Sequence, residues 1–286
     1  MTVDPTSAVL EGLALHRATG APALACLVGC RAVQDGHPGT ALGTGSGAAG
    51  SAGPTDLAML MDLAAGAAVR SRIGGGRRLA TTSLAVHLLD ALPRTADLVV
   101  RADHAVADER LAVAGTIVLS AGEVLGHGSV AFAVLGEGLP LIPWEHNDPV
   151  PTVVLAEGEL TMDERVGLQH VRGADARSWS EAVLRGSTRR GPAGVELRPS
   201  TLMANRAGGV QGGVLVGLAV LAAEPPDEGT TLSSVQVDFA AAATLEAPVR
   251  ARVEVLRTGR RSRLVRVDLL QEDYLVVAAT VVLRNE

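Results

Sequence analysis

The chain contains two sets of four short segments in which apolar residues alternate with polar ones or run continuously. The later set comprises residues 230–242, 247–258, 261–271 and 274–284, and the earlier set comprises 79–90, 97–106, 110–121 and 124–135. Segments of this length, rich in Thr, Val and Leu and separated by turn residues, are typical of antiparallel strands. Each set follows a longer apolar segment, at 55–70 and 212–223, which is typical of a helix.

The two sets can be aligned with each other. An offset of 151 positions superimposes Leu98 on Val249 and Phe132 on Leu283, and the two helices align with an offset of about 158. This self-similarity predicts a duplicated unit in which a long helix precedes a four-strand meander and one or two strands lie upstream. We expect a first unit over residues 1–140, a Pro-rich linker over 141–152 and a second unit over 153–286.

Composition and charge narrow the possible functions. A length of 286 residues is sufficient for two domains, and a net charge of −6 argues against a nucleic-acid-binding protein. No apolar run approaches the roughly 18 residues that a membrane helix needs, and no basic segment of a signal peptide stands at the start. Cys26 and Cys30 are not accompanied by a second cysteine pair, which favours free thiols over a zinc site. The low number of cysteines also favours a location in the reducing cytoplasm.

The stretch from Asn205 to Leu221 is the strongest functional signal. A polar residue comes first, glycines surround Gln211, and an unbroken apolar run follows. This order predicts a loop that leads into the N-terminus of a buried helix. Free backbone N–H groups and the helix dipole at such an end can hold a carbonyl oxygen or an anion. No acid, base or nucleophile follows in the first turns, so the reactive group must come from elsewhere in the chain.

A central apolar helix wrapped by a curved antiparallel sheet is the hot-dog arrangement, and the second half resembles the phenylacetate-pathway type of hot-dog acyl-CoA thioesterase. The fingerprint of that family is Asn, five residues, His-Gly-Gly, and an Asp nine positions after the His. Here Asn205, Gly212 and Gly213 match, Gln211 stands at the His position, and Val220 stands at the Asp position. The second half therefore has the carbonyl-holding end and lacks the carboxylate.

The first half shows the reverse. With the same spacing, Gly53 stands at the His position, Gly47 at the Asn position, and Asp62 at the Asp position. In the family the site forms across a two-fold dimer interface. The resemblance thus implies an α+β protein of two fused hot-dog units that form an intramolecular pseudo-dimer. One composite site would be complete and the other inactive.

The resemblance also implies a role for each candidate. The amide of Gly212 would take the developing oxyanion, Asp62 would be a general base on water or a nucleophile, and Asn205 would orient water or carbonyl. Gln211 would support the loop. Substrate-binding residues would be Gly213, Thr81 and Thr82, the two threonines because the family often has a hydroxyl near the acid. No metal and no cofactor are required, and the substrate would be an acyl-CoA or another thioester, such as an acyl-carrier.

Other readings of the same residues stay open at this stage. The missing His is compatible with a non-catalytic acyl-CoA-binding or scaffold protein that kept the fold. A hot-dog dehydratase or hydratase is less favoured, because neither helix carries a His. Asp62 could be structural or simply face solvent, and Thr81 could be an ordinary strand residue. The two glycines could be a tight helix entry only, and Asn205 could be a plain turn residue. Pairing of two such chains into a homodimer is an expectation from the resemblance alone.

Overall fold

A computed structural model describes residues 5–27, 30–32, 40–43, 52–74, 76–92, 98–138, 155–173, 178–191, 194–225 and 229–285. Its helices are α1 (Pro5–Thr19), α2 (Ala23–Leu27), α3 (Pro54–Ile73), α4 (Met162–Gly173), α5 (Trp179–Gly186) and α6 (Gly212–Ala223). Its strands are β1 (Cys30–Ala32), β2 (Thr40–Gly43), β3 (Arg77–Leu88), β4 (Leu98–Ala107), β5 (Leu111–Ser120), β6 (Glu123–Glu137), β7 (Thr188–Gly191), β8 (Gly194–Leu197), β9 (Thr230–Phe239), β10 (Val249–Thr258), β11 (Ser262–Gln271) and β12 (Tyr274–Asn285).

The eight predicted strands and both predicted helices are present, with ends that differ by up to three residues. The four helices α1, α2, α4 and α5 were not predicted, although α5 carries local helix signals in its N-cap Ser178 and its apolar residues Trp179, Ala182 and Val183. Two strands precede the long helix in each half. The predicted linker at 141–152 and the position of Gly47 lie outside the described residues.

The described strands form one twelve-stranded antiparallel sheet whose order is the same when read from either end. The pair β3–β9 lies at the centre. Outward from β3 come β6, β5, β4, β2 and β1, and outward from β9 come their later counterparts β12, β11, β10, β8 and β7. The sheet is therefore built from two equivalent sets of six strands that meet edge to edge.

The strand registers repeat with the same offset that aligns the sequence. Leu84 pairs with Val130 in the first half, and Val235 pairs with Val281 in the second, 151 positions later in both strands. The β-bulge also repeats. Thr82 on β3 has no register partner on β6, and the residue 151 positions later, on β9, has no register partner on β12. A β-bulge re-aims the side chains beyond it and is a specific local feature. The two halves thus share fine detail as well as strand order.

The two long helices lie against the sheet and against each other. α3 contacts β4 and β5, α6 contacts β10, β11 and β12, and the upstream helix α5 contacts both α3 and α6. Nearly every residue of α6 is buried, because the helix is apolar all round and is covered on all sides. No helix in the described ranges is long and apolar enough to span a membrane.

Glycines set the closeness of the contact between α3 and α6. A Cβ at Gly213 would lie 2.5 Å from Met59 Cγ and 3.0 Å from the Thr55 carbonyl oxygen, and a Cβ at Gly217 would collide with the Thr55 hydroxyl. Because Thr55 faces Gly217 while Met59 faces Gly213, the two helices run antiparallel. Only residues without a Cβ allow this approach at the first two turns of α6.

Candidate active site

Asp62 is held by a hydroxyl from the strand that follows its helix. It is a half-buried residue in the middle of the otherwise apolar α3. The Thr81 hydroxyl on β3 donates to its Oδ1 at 2.5 Å. Desolvation raises the pKa of Asp62, while the Thr81 hydrogen bond and the charge of Arg70 act in the opposite direction. A carboxylate with one ordered donor and little water is suited to accept a proton.

A β-bulge decides which of the two candidate threonines reaches Asp62. In strict alternation Thr82 would share the inner face of β3 with Leu84 and Val86. The bulge at Thr82 instead pairs Thr81 with the buried Phe132, so that Thr81 faces the helices. In this structure Thr82 is half-buried and makes no hydrogen bond to Asp62.

The N-terminus of α6 presents two free amides. Gln211 is its N-cap, and the Gln211 Oε1 accepts from the Val214 amide at 3.2 Å. Within the described part of the chain, the amides of Gly212 and Gly213 have no acceptor. Orphan N–H groups at a helix start, reinforced by the dipole, form a site for a carbonyl oxygen or an anion.

Asn205 shapes the loop that leads to this helix. Its Oδ1 accepts from the amides of Ala207 and Gly209, at 2.8 and 3.1 Å, and its Nδ2 donates to the Val210 carbonyl at 3.4 Å. The Asn205 backbone amide also bonds to the Gly209 carbonyl at 2.7 Å. The side chain thus closes a tight turn just ahead of Gln211, as Asn side chains commonly do.

Phe239 lies between the start of α6 and the β-bulge of β3, and it was not predicted as a site residue from the sequence. It is a half-buried residue at the end of β9, and its ring atoms lie 3.4 and 3.5 Å from where a Cβ on Gly212 would be. Ser83 pairs with Asp238 across the central strand pair, which puts Phe239 beside the bulge of β3. An aromatic ring at a strand end was the available signal, since the chain has only two Phe residues.

The N-terminus of α3, the counterpart of the α6 end, is occupied by protein groups. Pro54 stands at the first helical position and has no N–H to offer. The amide and the hydroxyl of Thr55 both donate to Glu181 Oε1, at 3.2 and 2.9 Å. The Gly53 amide donates to Asp56 Oδ2 at 2.7 Å. A carboxylate from α5 therefore fills the position where α6 has free amides.

The acids at this end form a buried polar cluster. Burial, and then the neighbouring charge of Asp56, raise the pKa of Glu181 to about 7. Burial also raises the pKa of Asp56, although the hydroxyl of Ser180 donates to it. Like charges that share a dry site disfavour ionisation of both groups. Sequence spacing gave no signal for this cluster, because Glu181 and Thr55 lie 126 residues apart in the chain.

The second half has no counterpart of the Asp62–Thr81 pair. The equivalent helix position is Val220, and the equivalent strand position, 151 after Thr81, is Leu232. Both side chains are buried, with 1% and 7% of their surfaces exposed. Two buried apolar side chains therefore stand at the positions of the acid and its hydroxyl partner.

Among the described residues, no group of three or more His, Cys, Asp or Glu side chains is arranged to hold a metal ion. Cys26 is a buried free thiol, and burial raises its pKa to about 12. A thiol in this state is a packing residue, because the reactive form is the thiolate.

The second half of the chain matches a known domain family. Residues 202–284 match the model of the acyl-CoA thioesterase N-terminal domain. The matched range begins at the loop of Asn205 and continues through α6 and β9–β12, although it lies in the second half of this chain. No curated protein sequence matches the chain significantly.

Solved structures show the same fold over most of the chain. The tesB protein of Mycobacterium avium subspecies paratuberculosis has a TM-score of 0.58 at 13% identity, covering 91% of this chain and 97% of its own. An acyl-CoA thioesterase II from Mycobacterium marinum has a TM-score of 0.54 at 12% identity, covering 91% and 95%. A hot-dog protein of unknown function from Alicyclobacillus acidocaldarius has a TM-score of 0.52 at 12% identity, covering 91% and 97%.

The chain therefore has the hot-dog fold found in thioesterases, with a large antiparallel sheet, and residues 202–284 carry a thioesterase-family domain. The relationship to the phenylacetate-pathway type in particular stays a prediction.

Proposed function

We propose that this protein is a thioesterase that hydrolyses an acyl-CoA or acyl-carrier thioester at one composite site between two fused hot-dog units. The observation that carries the proposal is that each of the two long helices contributes a different chemical group. α6 offers the free amides of Gly212 and Gly213, and α3 offers Asp62 with its Thr81 partner. Together these groups meet the needs of thioester hydrolysis, a polarised carbonyl and a base or nucleophile.

The repeated architecture supports two units, over residues 1–140 and 153–286, arranged as an intramolecular pseudo-dimer. The strand order is symmetrical about β3–β9, and the register and the bulge recur after 151 positions. Antiparallel packing of α3 on α6 is the relation that a two-fold axis between equivalent helices would produce. We expect residues 141–152 to connect the units.

The helix contact supports a site shared between the units. Met59 packs against Gly213 in the first turn of α6. Asp62 is three residues further along α3, which advances it about 4.5 Å along the antiparallel helix, past the start of α6. Phe239 packs against Gly212 from the sheet, at a strand position next to the β-bulge at Thr82. These contacts support a site in which the carboxylate of one unit faces the free amides of the other.

The chemistry follows from these groups. The thioester carbonyl oxygen accepts from the Gly212 N–H, which stabilises the negative charge that develops during attack. Asp62 takes a proton from an attacking water and returns it to the leaving thiolate. Alternatively, it attacks the carbonyl carbon itself, the C–S bond breaks to release the thiolate, and water hydrolyses the resulting mixed anhydride. Thr81 holds the carboxylate in orientation through its donated hydrogen bond.

In this scheme, Asn205 and Gln211 mainly stabilise the loop and the N-terminus of α6. Asn205 closes the turn, and Gln211 caps α6 through its Oε1. The Gln211 Nε2 makes no hydrogen bond to the described residues and is available to donate to a bound thioester. Gln thus provides a donor at the His position of the family without a titratable group.

We propose a single working site in each chain. At the opposite end Pro54 has removed one amide and Glu181 has occupied the next. Val220 and Leu232 offer no acid and no hydroxyl where α3 and β3 offer both. Binding of one acyl-CoA per chain is the expected stoichiometry.

The alternative is an acyl-CoA-binding or scaffold protein without catalysis. The absence of the family His, and the use of the Asn205 acceptor within its own loop, favour it. The test is thioester hydrolysis of an acyl-CoA panel by the parent protein and by Asp62→Asn, with Asp238→Asn, an exposed acid on β9, as control. Loss of activity by a factor of about 10² or more in Asp62→Asn alone supports the enzyme. Binding without hydrolysis by the parent supports the alternative.

We further expect a cytoplasmic protein that can pair into a homodimer of pseudo-dimers, from the low cysteine content and the family resemblance respectively. Size-exclusion chromatography with light scattering measures the assembly directly.

A further inference from the structure

Phe239 is a half-buried aromatic side chain that packs beside Gly212, the first residue of α6. Its ring is in van der Waals contact with the position of a Gly212 Cβ, at 3.4 and 3.5 Å. A thioester whose carbonyl oxygen is held by the Gly212 N–H must place its substituents within a few ångströms of that ring, since hydrogen-bonded heavy atoms lie about 3 Å apart.

The neighbouring side chains on the inner face of the central strands are buried. Val237 and Val235, the next inward-facing residues of β9, are 0% and 2% exposed, and Leu84, opposite Val237 on β3, is 2% exposed. Met59, which faces the first turn of α6 from the other helix, is also fully buried. Protein interiors are packed at nearly crystalline density, so an acyl chain cannot pass between these side chains without displacing them.

We propose that Phe239 is the specificity-determining residue of the site and that it restricts the acyl group to a short chain. This inference rests on the proposed thioesterase function and deepens it. The ring forms the sheet-side wall next to the reacting carbonyl, and the packed Val237 and Leu84 stand behind it. An acyl chain longer than a few carbons would therefore meet the ring.

The first half contains a matched position. The register partner of Phe239 is Val277, and 151 positions earlier Leu88 pairs with Gly126. Leu88 is 4% exposed and belongs to the packed hydrophobic core. Replacing Leu88 removes a comparable apolar side chain on the side of the molecule where no substrate is expected.

The experiment compares kcat/KM for four-carbon and eight-carbon acyl-CoA in the parent, Phe239→Ala, Phe239→Leu and Leu88→Ala. The parent is expected to prefer the four-carbon substrate. Phe239→Ala is expected to raise the eight-to-four ratio about tenfold or more, the scale set by a methylene in an apolar pocket, and Phe239→Leu to raise it less. Leu88→Ala should leave the ratio unchanged. Thermal melting identifies any variant that fails to fold. If Phe239→Ala does not fold, the eight-to-four ratio of Phe239→Leu is compared with that of the parent.

A parent that prefers eight carbons, or a Phe239→Ala variant in which both rates fall with the ratio unchanged, would overturn the inference. If the parent hydrolyses no thioester, the proposed function fails on its own. The inference is then tested by calorimetry with ketone analogues of the same acyl-CoA molecules, in which CH₂ replaces the sulfur. Tighter binding of the four-carbon analogue that reverses in Phe239→Ala supports it, and equal ratios, or no binding of either analogue, overturn it.

Discussion

The Thr81 hydroxyl donates a 2.5 Å hydrogen bond to Oδ1 of Asp62, across the gap between strand β3 and helix α3. This contact explains how an acid is tolerated in the middle of an apolar helix. A buried polar group is costly unless it has a partner, and here the partner is a side chain that only a bulged strand could deliver.

Removing that hydroxyl changes the pH dependence of hydrolysis. The hydrogen bond lowers the pKa of Asp62 against the larger effect of desolvation, so Thr81→Val raises the pKa further. Because the ionised carboxylate is the active form, the acid limb of the kcat/KM profile shifts to higher pH. At neutral pH the rate falls by about ten- to hundredfold, the worth of a hydrogen bond to a charged group. A series of kcat/KM measurements from about pH 4 to about pH 9 locates the acid limb.

The matched control is Ser83→Ala, two residues along β3, where the side chain belongs to the outer face opposite Asp238. Its profile should match the parent's. An unchanged acid limb in Thr81→Val would mean that Asp62 does not titrate in catalysis.

The oxyanion role of Gly212 can be tested by removing only its N–H. Gly212 is the first residue of α6, a position where Pro is favoured, and α3 already has Pro54 there. Gln211, with φ −67° and ψ 136°, has the backbone conformation that a following Pro requires. Gly212→Pro is therefore expected to fold and to lower kcat by about 10²–10³, the typical loss of one oxyanion donor.

Gly212→Ala separates the amide from the added bulk. Its Cβ would make ordinary contact with Phe239, and it keeps the N–H. Equal activity of the Ala and Pro variants, with equal melting temperatures, would exclude the amide as the oxyanion donor.

The buried acids at the N-terminus of α3 predict that the free energy of unfolding depends on pH. The pKa of Glu181 in the folded protein is about 7, above its ordinary value of 4.5. A group whose pKa is raised on folding contributes stability that is fully present below its unfolded pKa and is lost as the pH rises through the folded one. The free energy of unfolding should therefore fall between pH 5 and pH 8 by up to about 3 kcal/mol from this residue.

Urea unfolding at the two pH values measures this effect. Glu181→Gln keeps an acceptor for the Thr55 amide and removes the charge, so its stability should depend less on pH, with the remainder coming from Asp56. The exposed Glu246→Gln is the control and should behave as the parent does. A Glu181→Gln variant with the parent's full pH dependence would contradict the account of the cluster.

The repeated strands and the two long helices were predictable because they rest on local patterns. Period-2 segments and an apolar run with a glycine-rich start are visible in any single stretch of sequence. The spacing of the family fingerprint, applied to the first half, also picked out Asp62 and favoured Thr81, with Thr82 a close second. The choice between them depends on a bulge, which is set by the pairing of β3 with β6 and has no signature in β3 alone.

The occupation of the α3 N-terminus by the Glu181 carboxylate was not predictable, for a different reason. Glu181 reaches Thr55 across 126 residues of chain, from α5, which was not among the predicted helices. Phe239 shows the same limit, since its contact with Gly212 depends on how β9 meets the start of α6. Contacts between distant segments follow from the assembled fold and not from any local period.

The most direct measurement is a crystal structure with a ketone analogue of a short acyl-CoA bound. The composite site predicts the ketone oxygen about 2.7–3.1 Å from the Gly212 amide, with the Asp62 carboxylate near the ketone carbon, directly or through one water. One analogue per chain should be present. A ketone group bound away from the Gly212 amide, or an Asp62 carboxylate more than about 12 Å from it, far beyond the reach of one bridging water, would contradict the central claim.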